Sequence, residues 1–128
     1  MTKQIIHTDA APAAVGPYSQ AVMAGPGKTV YLSGQIGLEP GTGELVSENF
    51  EGQVRQSFAN MQAVIEAAGG KLENIVKLTL FLTDLSKFAS ANAIMADIIP
   101  QPFPARSTIG VASLPKGAQF EVEAIIVV

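Results

Sequence analysis

Arg106 stands at the head of an alternating stretch, delivered by a proline-braced loop, Pro100-Gln101-Pro102-Phe103-Pro104. Prolines fix φ and remove backbone donors, so the loop is stiff and the arginine starts from a defined place. A guanidinium is a permanent cation with a planar fork of donors, matched to a carboxylate or a phosphate. In Arg106-Ser107-Thr108-Ile109-Gly110-Val111 the side chains alternate, so Arg106 and Thr108 share one face of a strand. Glu121 and Glu123 share a face of the last strand in the same way. If Ile109 and Val111 pack on helices, and Phe120, Val122 and Ala124 do too, then Arg106 and Glu121 meet on the opposite, uncovered face. The plain alternative is a cross-strand ion pair, contributing roughly 0.2–1 kcal/mol. Taken alone, the Arg106 stretch fits a surface arginine equally well.

Other residues invite weaker readings. Gly16-Pro17 pins the backbone before Tyr18, whose phenol can donate or accept a hydrogen bond. Ser33-Gly34-Gln35 puts a glycine inside a strand, the mark of a bulge or of a close backbone approach. Gly25-Pro26-Gly27-Lys28 lacks the spacing of a phosphate loop. His7 is the only histidine and there is no cysteine. A serine-histidine triad, a disulfide and a thiolate or histidine metal site are therefore not expected.

Positioning such groups takes a folded frame, and the composition provides for one. The chain has 128 residues, 48% hydrophobic and 15% charged, which fits a single domain over 1–128 with a real core. Its net charge of −3 argues against nucleic-acid or membrane-surface partners. No apolar run reaches the roughly 18–20 residues of a membrane helix, and no signal-peptide pattern opens the chain, so a cytoplasmic protein is expected. Few charges and a mean hydropathy of +0.31 point to an oligomer that covers apolar surface.

Phe50, Val54, Phe58, Met61, Ile65 and Ala68 recur at helical spacing, with Asn49 as N-cap and Gly69-Gly70 as the stop. A second helix runs from an Asp84 cap to about Ile99, ended by Pro100. Strands are predicted at Gln4–Ile6, Tyr18–Ala24, Thr29–Ile36, Ile75–Thr83, from Arg106, and over Gln119–Val128. The second and third should form a hairpin, and the last two should be antiparallel neighbours. The order β-β-β-α-β-α-β-β predicts an α+β domain: a mixed sheet with both helices on one face. The other face, with Tyr31, Ser33, Gln35, Thr79, Phe81, Thr108, Ile125 and Val127, is too apolar to stay wet and is expected to bury against copies of the chain.

Gly16-Pro17-Tyr18-Ser19-Gln20-Ala21, Leu32-Ser33-Gly34-Gln35-Ile36, Pro104-Ala105-Arg106-Ser107 and Phe120-Glu121-Val122-Glu123-Ala124, in that order, resemble the RidA family (YjgF/YER057c/UK114) over nearly the whole chain. Thr83-Asp84-Leu85 and Asn92 add to the match. The resemblance implies a chorismate-mutase-like fold and a homotrimer whose sheets form an inner barrel, with sites at the subunit clefts. It implies hydrolysis of reactive 2-imino acids, tautomers of enamines released by pyridoxal-phosphate dehydratases, to 2-keto acids and ammonia without a cofactor. On that basis Arg106 grips the substrate carboxylate and Glu121 handles the attacking water. Tyr18 walls the cleft, main-chain groups of Ser33 and Gly34 bind substrate, Thr108 hydrogen-bonds it, and Asn92 supports the site. Many members carry cysteine where this chain has Thr108, so thiol-dependent regulation is not expected here. Two other readings stay open: a noncatalytic sensor of small carboxylic acids or chaperone-like binding protein, and a ribonuclease or translation inhibitor. The acidic charge counts against the last.

Overall fold

The helical spacing of Phe50, Val54, Phe58, Met61 and Ile65 becomes the long helix α1, Phe50–Ala67, and buries its stripe against a sheet. Asn49 caps it by accepting from the Gly52 N–H at 2.9 Å. Phe58 and Phe120 are fully buried, with ring centroids 5.8 Å apart. In this computed structural model, which describes residues 3–128, the strands are β1 Lys3–Ile6, β2 Ala21–Ala24, β3 Thr29–Ile36, β4 Ile75–Leu82, β5 Ala105–Gly110 and β6 Phe120–Val127, with α2 at Phe88–Ile98. The order of elements is the expected one, and the fold is α+β: two helices packed on a mixed sheet.

The main sheet runs β3-β6-β4-β5. β4 and β5 are parallel, joined through α2, while β6 is antiparallel to both β3 and β4. This corrects one expectation, since β5 and β6 are not neighbours. The link after β5 is a nine-residue passage over 111–119, with a tight turn at Pro115–Gly117, long enough to carry the chain across the end of β4. The β2–β3 hairpin does not form either. β2 pairs with β1 in a separate two-stranded sheet. β6 holds β3 instead, with Leu32 opposite Ala124 and Val30 opposite Ile126, pairs that bury far more apolar surface than β2 offers. Tyr18 lies outside β2 because its N–H turns back to the Gly16 carbonyl at 2.8 Å. Asp84 caps a short turn, Leu85–Lys87, that leads into α2 rather than α2 itself.

Two facings differ from the alternation read in the sequence. In the β4–β5 register Arg106 lies beside Leu78 and Thr108 beside Leu80, both fully buried on the helix side. Arg106 and Thr108 therefore face α2, while Ser107 and Ile109 face the uncovered side, where Ile109 is exposed. The stretch reads with inverted parity because β5 is an edge strand: its helix-side residues need not be apolar where a cleft opens beside them. In β3 the register shifts between Leu32 and Gln35, the bulge that Gly34 suggested. The extra residue turns Gln35 to the helix side, beside Asn60, Ala63 and Val64, and brings Ile36 to the uncovered face opposite Glu121.

The start of β6 is fixed by Gln53 of α1. Its amide is buried, donating to the Ser47 carbonyl and accepting from the Gln119 N–H, each at 2.9 Å. Gln53→Ala removes both bonds, which are part-buried, and the packing of a buried side chain. Losing two part-buried hydrogen bonds costs about 1–3 kcal/mol in total, to be read as a lowered urea midpoint at fixed protein concentration. An unchanged midpoint would mean that water replaces both bonds.

Candidate functional site

The helix-side face of β5 carries the first cluster. Arg106 leaves the strand toward α2, where Nη1 donates to Asn92 Oδ1 at 2.6 Å and approaches Met95 Sδ at 3.6 Å. Its Cζ lies over the Tyr18 ring at 5.0 Å and the Phe88 ring at 5.6 Å, both within cation–π range. Half-burial pulls the guanidinium pKa down, and Tyr18 opposes that in part. From so high a starting value the group stays charged. With Val15, Tyr18, Phe88 and Thr108 it lines a cleft of about 230 Å³.

Three local devices hold this cleft. Ser19 clamps the arm to the proline loop: its N–H donates to the Pro104 carbonyl at 2.9 Å and its hydroxyl to Phe103 O at 2.5 Å. Tyr18, next in the chain, is thereby held against Arg106. Its hydroxyl oxygen accepts from the Val15 N–H at 3.3 Å, which leaves the phenolic proton free to donate. A side chain at Gly16 would sit 3.4 Å from Arg106 Nη2 and 3.6 Å from Asn92 Nδ2, so glycine there keeps the guanidinium open. Thr108 Oγ1 is buried and has no hydrogen-bond partner among the described residues. An orphaned hydroxyl of this kind costs about 1–3 kcal/mol unless something meets it.

The second cluster lies on the uncovered face. The Glu121 carboxylate packs against Gly34, in the space where any side chain at 34 would stand. Burial raises the Glu121 pKa, and the nearby Glu123 charge raises it further. Phe81 and Ile36 flank it in register, and Ser33 is exposed at the bulge. Arg106 and Glu121 do not meet within one chain. β4 separates their strands, two strand spacings or roughly 10 Å, and they project from opposite faces. Tyr18, Asn92, Arg106 and Thr108 form one group; Ser33, Gly34 and Glu121 form another.

The sequence reading missed Phe88, Val15 and Gly16 as cleft residues. Phe88 had a usable signal, since it lies four residues before Asn92 and so on the same face of α2. Val15 had none: an exposed valine in an alanine-rich loop looks like any other loop residue.

Among the described residues no helix is long and apolar enough to cross a membrane. The sequence profile of the family described as endoribonuclease L-PSP matches residues 8–128. A 2-iminobutanoate/2-iminopropanoate deaminase of Dermatophagoides farinae is 48% identical, the match covering 98% of this chain and 97% of that protein. The crystal structure of RidA from Psychrobacter sp. PAMC 21119 superposes with a TM-score of 0.77 at 50% identity, covering 98% of this chain and 99% of the other. Escherichia coli TdcF, solved with bound serine, gives a TM-score of 0.74 at 41% identity, with 98% of each chain covered. The match over residues 8–128, the near full-length identity and the shared fold place this chain in the endoribonuclease L-PSP family, the RidA/YjgF family whose four motifs its sequence carries.

Proposed function

We propose that this protein is a deaminase that hydrolyses small 2-imino acids, 2-iminopropanoate and 2-iminobutanoate, to the 2-keto acid and ammonia. The observation that carries this reading is the Arg106 guanidinium. It is held by Asn92 and two aromatic rings at the wall of a cleft sized for a small carboxylate. The name and near full-length identity of the mite relative point the same way.

Arg106 takes the carboxylate and so fixes the imine carbon. The free proton of Tyr18 is available to the imine nitrogen, and the orphaned Thr108 hydroxyl, buried in the single chain, would reach it by turning about its side-chain bond toward the cleft that Thr108 lines. Water adds to the C=N carbon, its proton passing to a carboxylate base, and the carbinolamine collapses to C=O as ammonia leaves with a returned proton. Glu121 suits the base, because its raised pKa makes it a better proton acceptor than an ordinary carboxylate. It cannot reach the Arg106 cleft of its own chain. We therefore place the working site at a boundary between copies in a homotrimer, where Glu121 of the partner subunit and the Ser33–Gly34 backbone face the cleft. The uncovered sheet face, with Tyr31 76% exposed, is the surface such an assembly would bury. The route draws on no cofactor, and we assign the protein to the cytoplasm, where enamine-releasing dehydratases would supply it.

The family description raises the ribonuclease reading. Neither cluster holds a histidine: His7 sits in the N-terminal segment, paired with Asp9 at 3.1 Å. The net charge is −3, against what a polyanion needs. The test is ammonia release from freshly generated 2-aminoacrylate, corrected for decay in buffer, with the solution mass measured in parallel. We expect acceleration and three times the 13.3 kDa of one chain. A monomer that accelerates the reaction would remove the composite site. No acceleration, with keto acids still bound through Arg106, would leave the sensor reading.

A further inference from the structure

The donors of Arg106 divide unevenly. Nη1 is occupied, by Asn92 Oδ1 at 2.6 Å and Met95 Sδ at 3.6 Å. Among the described residues, Nε and Nη2 have no acceptor. Gly16 leaves Nη2 uncovered. Nε and Nη2 present parallel N–H bonds along one edge of the guanidinium, the geometry of a bidentate carboxylate pair.

That edge is useful only if the plane of the group is fixed. Asn92 and Met95 both hold the Nη1 corner, which leaves the opposite edge free to swing about it. Tyr18 and Phe88 supply the remaining restraint, with Cζ lying 5.0 and 5.6 Å from their ring centres. Tyr18 is tied down by its hydroxyl and by Ser19. Phe88 is the first residue of α2 and lies outside the buried core, 37% exposed. A ring left that open lies outside the core cluster, and its face meets the Arg106 guanidinium.

We propose that Phe88 is a positioning residue for the substrate carboxylate. With Tyr18 and Asn92 it fixes the guanidinium plane so that the Nε–Nη2 edge faces the cleft and takes a small carboxylate side-on. The inference rests on the carboxylate site of the proposed function, but not on turnover. A ring that only walled off the substrate side chain would matter more for longer acids. A ring that orients the cation matters equally for all of them.

The test is calorimetric binding of glyoxylate, pyruvate and 2-oxobutanoate to the intact protein, to Phe88→Leu and to Phe88→Tyr. Melting temperature serves as the control for folding. Phe88→Leu should bind all three acids roughly tenfold more weakly, the scale of one desolvated cation–π contact, while still melting cooperatively within a few degrees of the wild type. Phe88→Tyr should restore wild-type affinity. Wild-type affinity in Phe88→Leu, or a loss that grows from glyoxylate to 2-oxobutanoate, would overturn the inference and leave the deaminase reading standing. Equal weakening in a protein that binds these acids but accelerates no imine hydrolysis would support the inference and sink the deaminase reading. Absence of binding to the wild type would overturn the inference, while ammonia release from 2-aminoacrylate would still decide the deaminase reading.

Discussion

Arg106→Ala should remove most of the acceleration of imine hydrolysis at subsaturating substrate. Two charge-assisted hydrogen bonds to a carboxylate contribute about 3–6 kcal/mol, so kcat/KM should fall roughly 10²–10⁴-fold. Most of that loss should appear at subsaturating substrate, because the arginine holds a group that does not react. Arg106→Lys should recover little. An ammonium is a compact point charge, with no fork for the carboxylate and no planar face for the Tyr18 and Phe88 rings. It would also leave the Asn92 Oδ1 partner displaced. Full activity in Arg106→Ala, measured on 2-iminopropanoate, would show that the carboxylate is held elsewhere.

Glu121→Gln should act on a different quantity. The amide keeps the shape that packs against Gly34 but cannot take a proton, so kcat should fall about 10²–10⁴-fold with little change in keto-acid affinity. The pH dependence follows from the direction of the shift. A base works only when ionised, and the Glu121 pKa is raised by burial and by Glu123. Activity should therefore be lost on acidification at a higher pH than an ordinary carboxylate would give, and the residual rate of Glu121→Gln should lack that limb. Stability separates chemistry from folding. A carboxyl with a raised folded-state pKa favours the protonated form in the fold, so its ionisation reduces stability as pH rises from the unfolded to the folded pKa. At pH 7 Glu121→Gln should thus be no less stable than the parent. A variant that turns over at the parental rate would remove Glu121 from the chemistry.

Several parts of this arrangement were open to inspection in the sequence, and others were not. The stripe from Phe50 to Ile65 could be read because a helix face repeats its burial every turn. The bulge at Gly34 could be read because a glycine in a strand has few other uses. The facing of Arg106 could not. Alternation says that Arg106 and Thr108 agree with each other and differ from Ile109, but not which set meets the helices. Apolar Ile109 was the natural choice for burial, and it is 44% exposed. The placement of β6 between β3 and β4 was hidden too, since the passage over 111–119 looks like a turn between neighbours. The four motifs contribute residues to both clusters, Tyr18 and Arg106 to one and Ser33, Gly34 and Glu121 to the other, without revealing that these are separate groups.

The two groups lie on opposite faces of one sheet, and this has a genetic consequence if each working site straddles two chains. A lesion then belongs to a chain, while a defect belongs to a boundary. In an organism carrying one allele altered at Arg106 and another altered at Glu121, mixed assemblies contain boundaries that pair an intact arginine with an intact glutamate, each from a different allele. Two inactive alleles would then complement, although neither encodes a working enzyme, and an allele lesioned at both positions could not supply either half.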